Sequence, residues 1–142
     1  NTADGDGCSR ECAIELGWSC GADNVTCTCA CCGRISSQRG NVSVPASSSG
    51  YVDNLRCEWT IGAGGDGITL RFANFSTESN YDQAAILSCA NESCFNATVV
   101  KSLSGDVSAS GIINITSGIA RVKFKADGCI SGRGFLLFLA PM

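Results

Sequence analysis

Ala120-Arg-Val-Lys-Phe-Lys125 sets Ala120, Val122 and Phe124 on one parity and Arg121, Lys123 and Lys125 on the other. Successive side chains of an extended chain point to opposite faces, so this stretch predicts a strand with one face on a core and one in water. Ile68-Thr-Leu-Arg-Phe72 repeats the alternation, with Ile68, Leu70 and Phe72 set against Thr69 and Arg71. The residues around both are dense in Gly, Ser, Thr, Val and Ile, are broken by turn clusters such as Gly62-Ala-Gly-Gly-Asp-Gly67, and show almost no helical period. Glu11 to Leu16 is the only stretch read as helix, about one turn long. Short strands at turn-punctuated spacing predict an all-β fold built as an antiparallel sandwich.

A chain of 142 residues, 44% apolar, can bury one domain core and leaves a small remainder that needs other staples. Cysteine density marks that remainder. Seven of the eleven cysteines lie between Cys8 and Cys32, whereas Cys57, Cys89, Cys94 and Cys129 are spread over the rest. The early segment has few large apolar residues beyond Ile14, Leu16 and Trp18, too few to offset chain entropy without crosslinks. Residues 1–31 are therefore expected to form a small disulfide-rich knot ahead of a sandwich over 32–142.

Six Asn-x-Ser/Thr sequons accompany the cysteines, at Asn24, Asn41, Asn74, Asn91, Asn96 and Asn114. Nine Asn in a chain with 26 Ser plus Thr would give fewer than two by chance. Both features point to the secretory pathway, where thiols are oxidised and asparagines receive N-linked glycans, and so to an extracellular or cell-surface location. The net charge is −3 and the pI near 4.8, and Lys and Arg are dispersed along the chain without a basic stripe, so nucleic acid is not an expected partner. The longest apolar run, Phe135 to Ala140, is far short of the ~20 residues of a membrane helix, so no membrane insertion is expected of this segment. No charged-then-apolar leader opens it.

From Cys32 onward, Cys32-Gly33 is followed by Cys57-Glu-Trp59-Thr-Ile61, by Ile68 to Phe72 with Phe75, and by Tyr81-Asp82. Leu103-Ser-Gly105, a strand from Ile119 to Phe124 leading into Ala126-Asp127, and Gly134-Phe135 then follow. This order of features resembles a CUB domain, and the resemblance implies a jelly-roll-like β-sandwich with Cys32 bonded to Cys57. It departs from the family in having no cysteine between Cys57 and Cys89; instead Cys89 and Cys94 stand five apart, and a bridge between them would staple one loop. Asp4-Gly-Asp-Gly-Cys8-Ser-x-x-Cys12 with Glu15-Leu-Gly-Trp18-Ser-Cys20 resembles a cysteine-rich repeat of myxobacterial and protist surface proteins, entered part-way at Asn1, which predicts a fragment. The odd cysteine count leaves one thiol free or paired outside the chain.

Three chemistries are weighed on these residues. Cys27-Thr-Cys29-Ala-Cys31-Cys32 has spacings that suit a thiolate metal site, but the flanking sequons and the absence of histidine favour disulfides. Cys27, Cys29 and Cys31 are then expected to tie the knot to itself or to Cys129. The CUB resemblance implies a calcium site at Glu78, Asp82 and Asp127, whose oxygens suit a hard cation, although the Glu78–Asp82 segment is shorter than the family's calcium pattern. Without histidine no Ser-His or Cys-His relay can be built, and the acids are not placed as an evident acid/base pair, so no enzyme is expected.

Phe135-Leu-Leu-Phe-Leu139 is apolar on both parities. If Phe135, Leu137 and Leu139 fill the sandwich, Leu136 and Phe138 face outward and need a cover: the knot, a glycan or another subunit. The favoured expectation is a heavily glycosylated structural module of a fibre, coat or surface protein, contacting itself or neighbouring modules through Leu136 and Phe138. The alternative is a calcium-dependent protein- or carbohydrate-binding module of a receptor-like protein.

Overall fold

The computed structural model describes residues 18–20, 27–29, 31–44, 50–51, 53–107, 110–129 and 132–142. Glu11 to Leu16 and Asn24 lie outside the described residues. Among the described residues every regular element is a strand. β1 (Trp18–Cys20) and β2 (Cys27–Cys29) pair antiparallel as a two-stranded ribbon. Two five-stranded sheets follow. One orders β10 (Ile113–Ile115), β6 (Ile68–Ser76), β12 (Gly134–Pro141) and β4 (Gly40–Val44), with β9 (Asp106–Val107) also on β6. The other orders β3 (Cys32–Ile35), β5 (Arg56–Ile61), β11 (Ala120–Lys125), β7 (Gln83–Ser88) and β8 (Thr98–Leu103). β3 runs parallel to β5 and the other pairs are antiparallel.

The alternation read along the chain is the burial pattern. Ala120, Val122 and Phe124 are buried while Lys123 and Lys125 are exposed, and Ile68, Leu70 and Phe72 are buried beside exposed Arg71. The inward rows of both sheets form one core. Phe135 sits at its centre: its ring stacks on Phe75 at 5.6 Å and meets Phe72, Phe124 and Trp59 edge-on at 5.2, 5.7 and 6.4 Å. Phe72 and Phe75 come from its own sheet and Phe124 and Trp59 from the opposite one, so this single ring couples the two layers. Offset and edge-on contacts of this kind add to the area each ring removes from water.

The crosslink to Cys57 differs from the expected one. Cys57 is bonded to Cys31, not Cys32, with Cα atoms 5.0 Å apart, so Cys31 does not tie the N-terminal cysteines together either. The reason is strand geometry. Cys32 begins β3 in register with Glu58, and neighbours along a strand face opposite ways; Cys31, one residue earlier, shares the core with Cys57 and its carbonyl accepts the Glu58 amide at 3.1 Å. Cys32 is itself disulfide-bonded. Cys89 is bonded to Cys94, closing the loop after β7, and Cys129 is an exposed free thiol.

Phe135→Ala should destabilise the domain by about 3–5 kcal/mol, because the lost ring leaves a void shared by both sheets. A urea midpoint lowered by less than about 1 kcal/mol equivalent would contradict this central role.

Candidate cation site

Three connections converge at one end of the sandwich. β6 ends at Ser76 and leads through Thr77 and Glu78 to Asp82, β11 ends at Lys125 and leads to Asp127, and the segment before β5 carries Tyr51. One carboxylate oxygen from each of Glu78, Asp82 and Asp127 lies within 4.8 Å of the others. The short Glu78–Asp82 segment accommodates this by closing a single turn, in which the Asp82 amide donates to the Glu78 carbonyl at 3.2 Å. Ser104 secures that turn from the β8–β9 connection: its hydroxyl donates to the Asp82 carbonyl at 2.7 Å and lies 3.1 Å from the Glu78 carbonyl, while it accepts the Asn80 amide at 2.8 Å. Thr77, buried, donates to the Asp82 carbonyl at 3.2 Å and accepts the Gly105 amide at 2.9 Å.

Asp82 is only 1% exposed, and a buried carboxylate persists only where its oxygens are satisfied. Both are. Oδ2 accepts the Tyr51 hydroxyl in a short hydrogen bond, and Oδ1 accepts the Asp127 amide at 2.8 Å. The Tyr51 oxygen in turn accepts the Glu78 amide at 3.2 Å, so one hydroxyl links two of the three acids. The Tyr51 ring packs edge-on against Phe124 at 5.0 Å, which anchors this hydroxyl to the core. Gly50 leads into Tyr51 with φ +99°, and a Cβ there would stand 2.4 Å from the Gly132 carbonyl oxygen, so this backbone approach requires glycine.

Burial and the bond to Asp82 push the Tyr51 hydroxyl up to about 12. Glu78 is differently placed. Its Oε2 is buried without a hydrogen-bond partner. Burial first, then the charges of Asp127 and Asp82, hold its carboxyl above its ordinary value of 4.5. A carboxyl with one unpartnered oxygen, held within 4.8 Å of two other acids, carries an electrostatic cost. A divalent cation would relieve it, and an all-oxygen donor set suits calcium. Glu78, Asp82 and Asp127, named from sequence, are thus brought together. Tyr51, Thr77 and Ser104 were not anticipated, since a hydroxyl that acts through a distant acid leaves no local spacing to read.

The other residues singled out from sequence fall elsewhere. Asn41, Asn74 and Asn114 are exposed on β4, β6 and β10, all in one sheet. Asn91 and Asn96 are exposed in and just beyond the Cys89–Cys94 loop, which Glu92 ties to Arg34 by an ion pair. On β12, Phe135, Leu137 and Leu139 are buried, Leu136 is half-buried and Phe138 is 38% exposed.

Against known proteins, the CUB domain model matches residues 31–138, and the chain belongs to this family. Human Tolloid-like protein 1 is 29% identical over 133 residues, and mouse Tolloid-like protein 2 is 31% identical over 132; each match covers 89% of this chain and 13% of the relative. The chain therefore spans a small part of the curated relatives it matches. Among solved structures, the CUB1-EGF-CUB2 region of human MASP-1/3 superposes with TM-score 0.68 at 22% identity, over 92% of this chain and 49% of that one. The MASP-1 CUB2 domain bound to Ca²⁺ gives 0.65 at 22% identity, over 76% and 96%. The extracellular region of zebrafish Gpr126/Adgrg6 gives 0.67 at 19% identity, over 80% and 15%. These likenesses agree with the all-β sandwich. The protein is an extracellular CUB module, a non-catalytic domain type that mediates protein interactions, in keeping with its oxidised Cys31–Cys57 and Cys89–Cys94 pairs.

Tyr51→Phe should cost about 1–3 kcal/mol by leaving Asp82 Oδ2 buried and unpaired. The hydroxyl is raised on folding, so its contribution is whole below about pH 10 and is lost as pH rises towards 12; the variant should lose that alkaline dependence in thermal melts. In chelator, Glu78→Gln should instead raise the melting temperature. The raised Glu78 carboxyl favours folding below pH 4.5 and disfavours it as pH climbs through its folded value, so the gain should be larger at pH 7 than at pH 4.

Proposed function

We propose that this CUB domain is a calcium-ordered protein-binding module, N-glycosylated at its sequons and presenting the end of the sandwich that carries Glu78, Asp82 and Asp127 to an extracellular partner. The observation that carries the proposal is the grouping of one carboxylate oxygen from each of Glu78, Asp82 and Asp127 within 4.8 Å of one another, in a cluster where Glu78 Oε2 is buried without a hydrogen-bond partner. The calcium in the similarly folded MASP-1 CUB2 structure supports the same identity of ion.

Calcium, when bound, neutralises the mutual repulsion of these carboxylates and does no turnover chemistry. Asp82 is preset by Tyr51 and the Asp127 amide, so ordering falls mainly on Glu78 and Asp127. Because Ser104 and Thr77 hold the same turn, the ion would stiffen the β6–β7 and β8–β9 connections together. Three carboxylates around one divalent ion retain a negative charge, which suits a cationic side chain on the partner. Exposed Tyr81, beside Asp82, offers an aromatic surface next to it.

The structural role in a fibre or coat that the sequence favours would use Leu136 and Phe138 as a protein contact. No feature of that face singles out a second protein, whereas the acid cluster contains an unmet electrostatic demand, so the module's binding end is assigned to the cluster.

Calcium should raise the melting temperature in proportion to the logarithm of its concentration, contributing about 2.7 kcal/mol at a hundredfold excess over Kd. Asp127→Asn should remove this response and, by relieving the repulsion on Glu78, should raise rather than lower the melt in chelator. A melting temperature insensitive to millimolar calcium in the wild-type domain would refute the site.

A further inference from the structure

The outward face of the β10-β6-β12-β4 sheet has an apolar centre in an unusual setting. Phe138 is exposed and Leu136 half-buried in the middle of a sheet, where the neighbouring strands leave them no apolar cross-strand partner. In the β12/β4 register Phe138 stands opposite Asn41, and in the β12/β6 register Leu136 stands opposite Asn74. Both asparagines are exposed and both open a sequon, Asn41-Val-Ser43 and Asn74-Phe-Ser76. The remaining cross-strand neighbours are Arg71 opposite Phe138 and Ser43 opposite Leu136. Each outward apolar side chain is thus paired directly with one sequon asparagine, from opposite sides of β12.

Directly opposed residues have Cβ atoms about 4.5–5.5 Å apart, close enough that the first sugar on an asparagine can lie over the side chain it faces. A pyranose ring has an apolar C–H face and a polar rim, and an aromatic ring presents the complementary negative face. We propose that the N-linked glycans of Asn41 and Asn74 fold onto Phe138 and Leu136, so that carbohydrate of the same chain, not a second protein, covers this sheet. The inference rests on the glycan reading of the sequons. In attachment, Nδ2 of asparagine bonds to the anomeric carbon of a lipid-diphosphate-linked oligosaccharide; the C–O bond to the carrier breaks, the carrier leaves as the diphosphate, and the amide loses one proton.

The contact gives each apolar residue a cover without burying an unpaired polar group, since the sugar's rim hydroxyls remain in water. It also makes this sheet the occluded face of the module and leaves the cation-site end as the open one.

The test is a double-mutant cycle on the secreted glycoprotein. Glycopeptide mass spectrometry first measures occupancy at Asn41 and Asn74. Phe138→Ser should then lower the melting temperature of the glycosylated protein by about 3 °C more than it lowers that of Asn41→Gln. Trimming the glycans enzymatically to their first sugar should leave the difference in place. Leu136→Ser against Asn74→Gln provides a second cycle, so a folding defect in one variant does not remove the test. Empty Asn41 and Asn74 would overturn both this inference and the glycan reading; occupied sites with additive shifts would overturn the contact alone. Self-association of the glycosylated protein that is abolished by Phe138→Ser would overturn it in favour of a second copy as the cover.

Discussion

Phe135 is the contact on which the architecture turns. Two sheets of short strands each bury one face, and a ring that touches Phe72 and Phe75 in its own layer and Phe124 and Trp59 in the other fixes their spacing and offset at once. From there a continuous line of contacts runs outward. Phe124 receives the Tyr51 ring, the Tyr51 hydroxyl receives the Glu78 amide and donates to Asp82, and Asp82 receives the Asp127 amide. The acid cluster is therefore an extension of the core rather than a decoration of the loops. A site built this way is preorganised by packing, which lowers the ordering cost that binding would otherwise carry.

Polarity is divided within the module. At one end, buried Asp82 and the partly buried Glu78 and Asp127 are held close despite their repulsion. Across one sheet, exposed Phe138 and half-buried Leu136 have sequon asparagines standing beside them. Each arrangement is unfavourable for a bare polypeptide in water; the proposed cation would relieve the first and the proposed sugar the second. The disulfides do simpler work: Cys31–Cys57 crosslinks the start of the sandwich to β5, and Cys89–Cys94 closes a loop of few residues, which removes correspondingly less entropy from the unfolded chain.

Strand identity and facing were readable from residue order because the β period of two is local: Ala120 to Lys125 and Ile68 to Phe72 declare their inward rows without reference to anything else. The oxidised compartment followed from cysteine number, and the three acids from a family pattern whose order survives even where its spacing is shortened. The choice between Cys31 and Cys32 was not readable. It depends on which of two adjacent residues enters β3 beside Glu58, and that register is set by the pairing partner rather than by the cysteines themselves.

Tertiary structure alone decided the rest, for one reason: these features join residues whose separation in sequence carries no signal. Tyr51 meets Asp82 across 31 positions because its ring is seated on Phe124. Asn41 and Asn74 come to flank a strand that begins at Gly134 because β12 inserts between β4 and β6. Local alternation is a property of the backbone and is written in every few residues; adjacency across a sheet is a property of how the layers pack, and it exists only once they have.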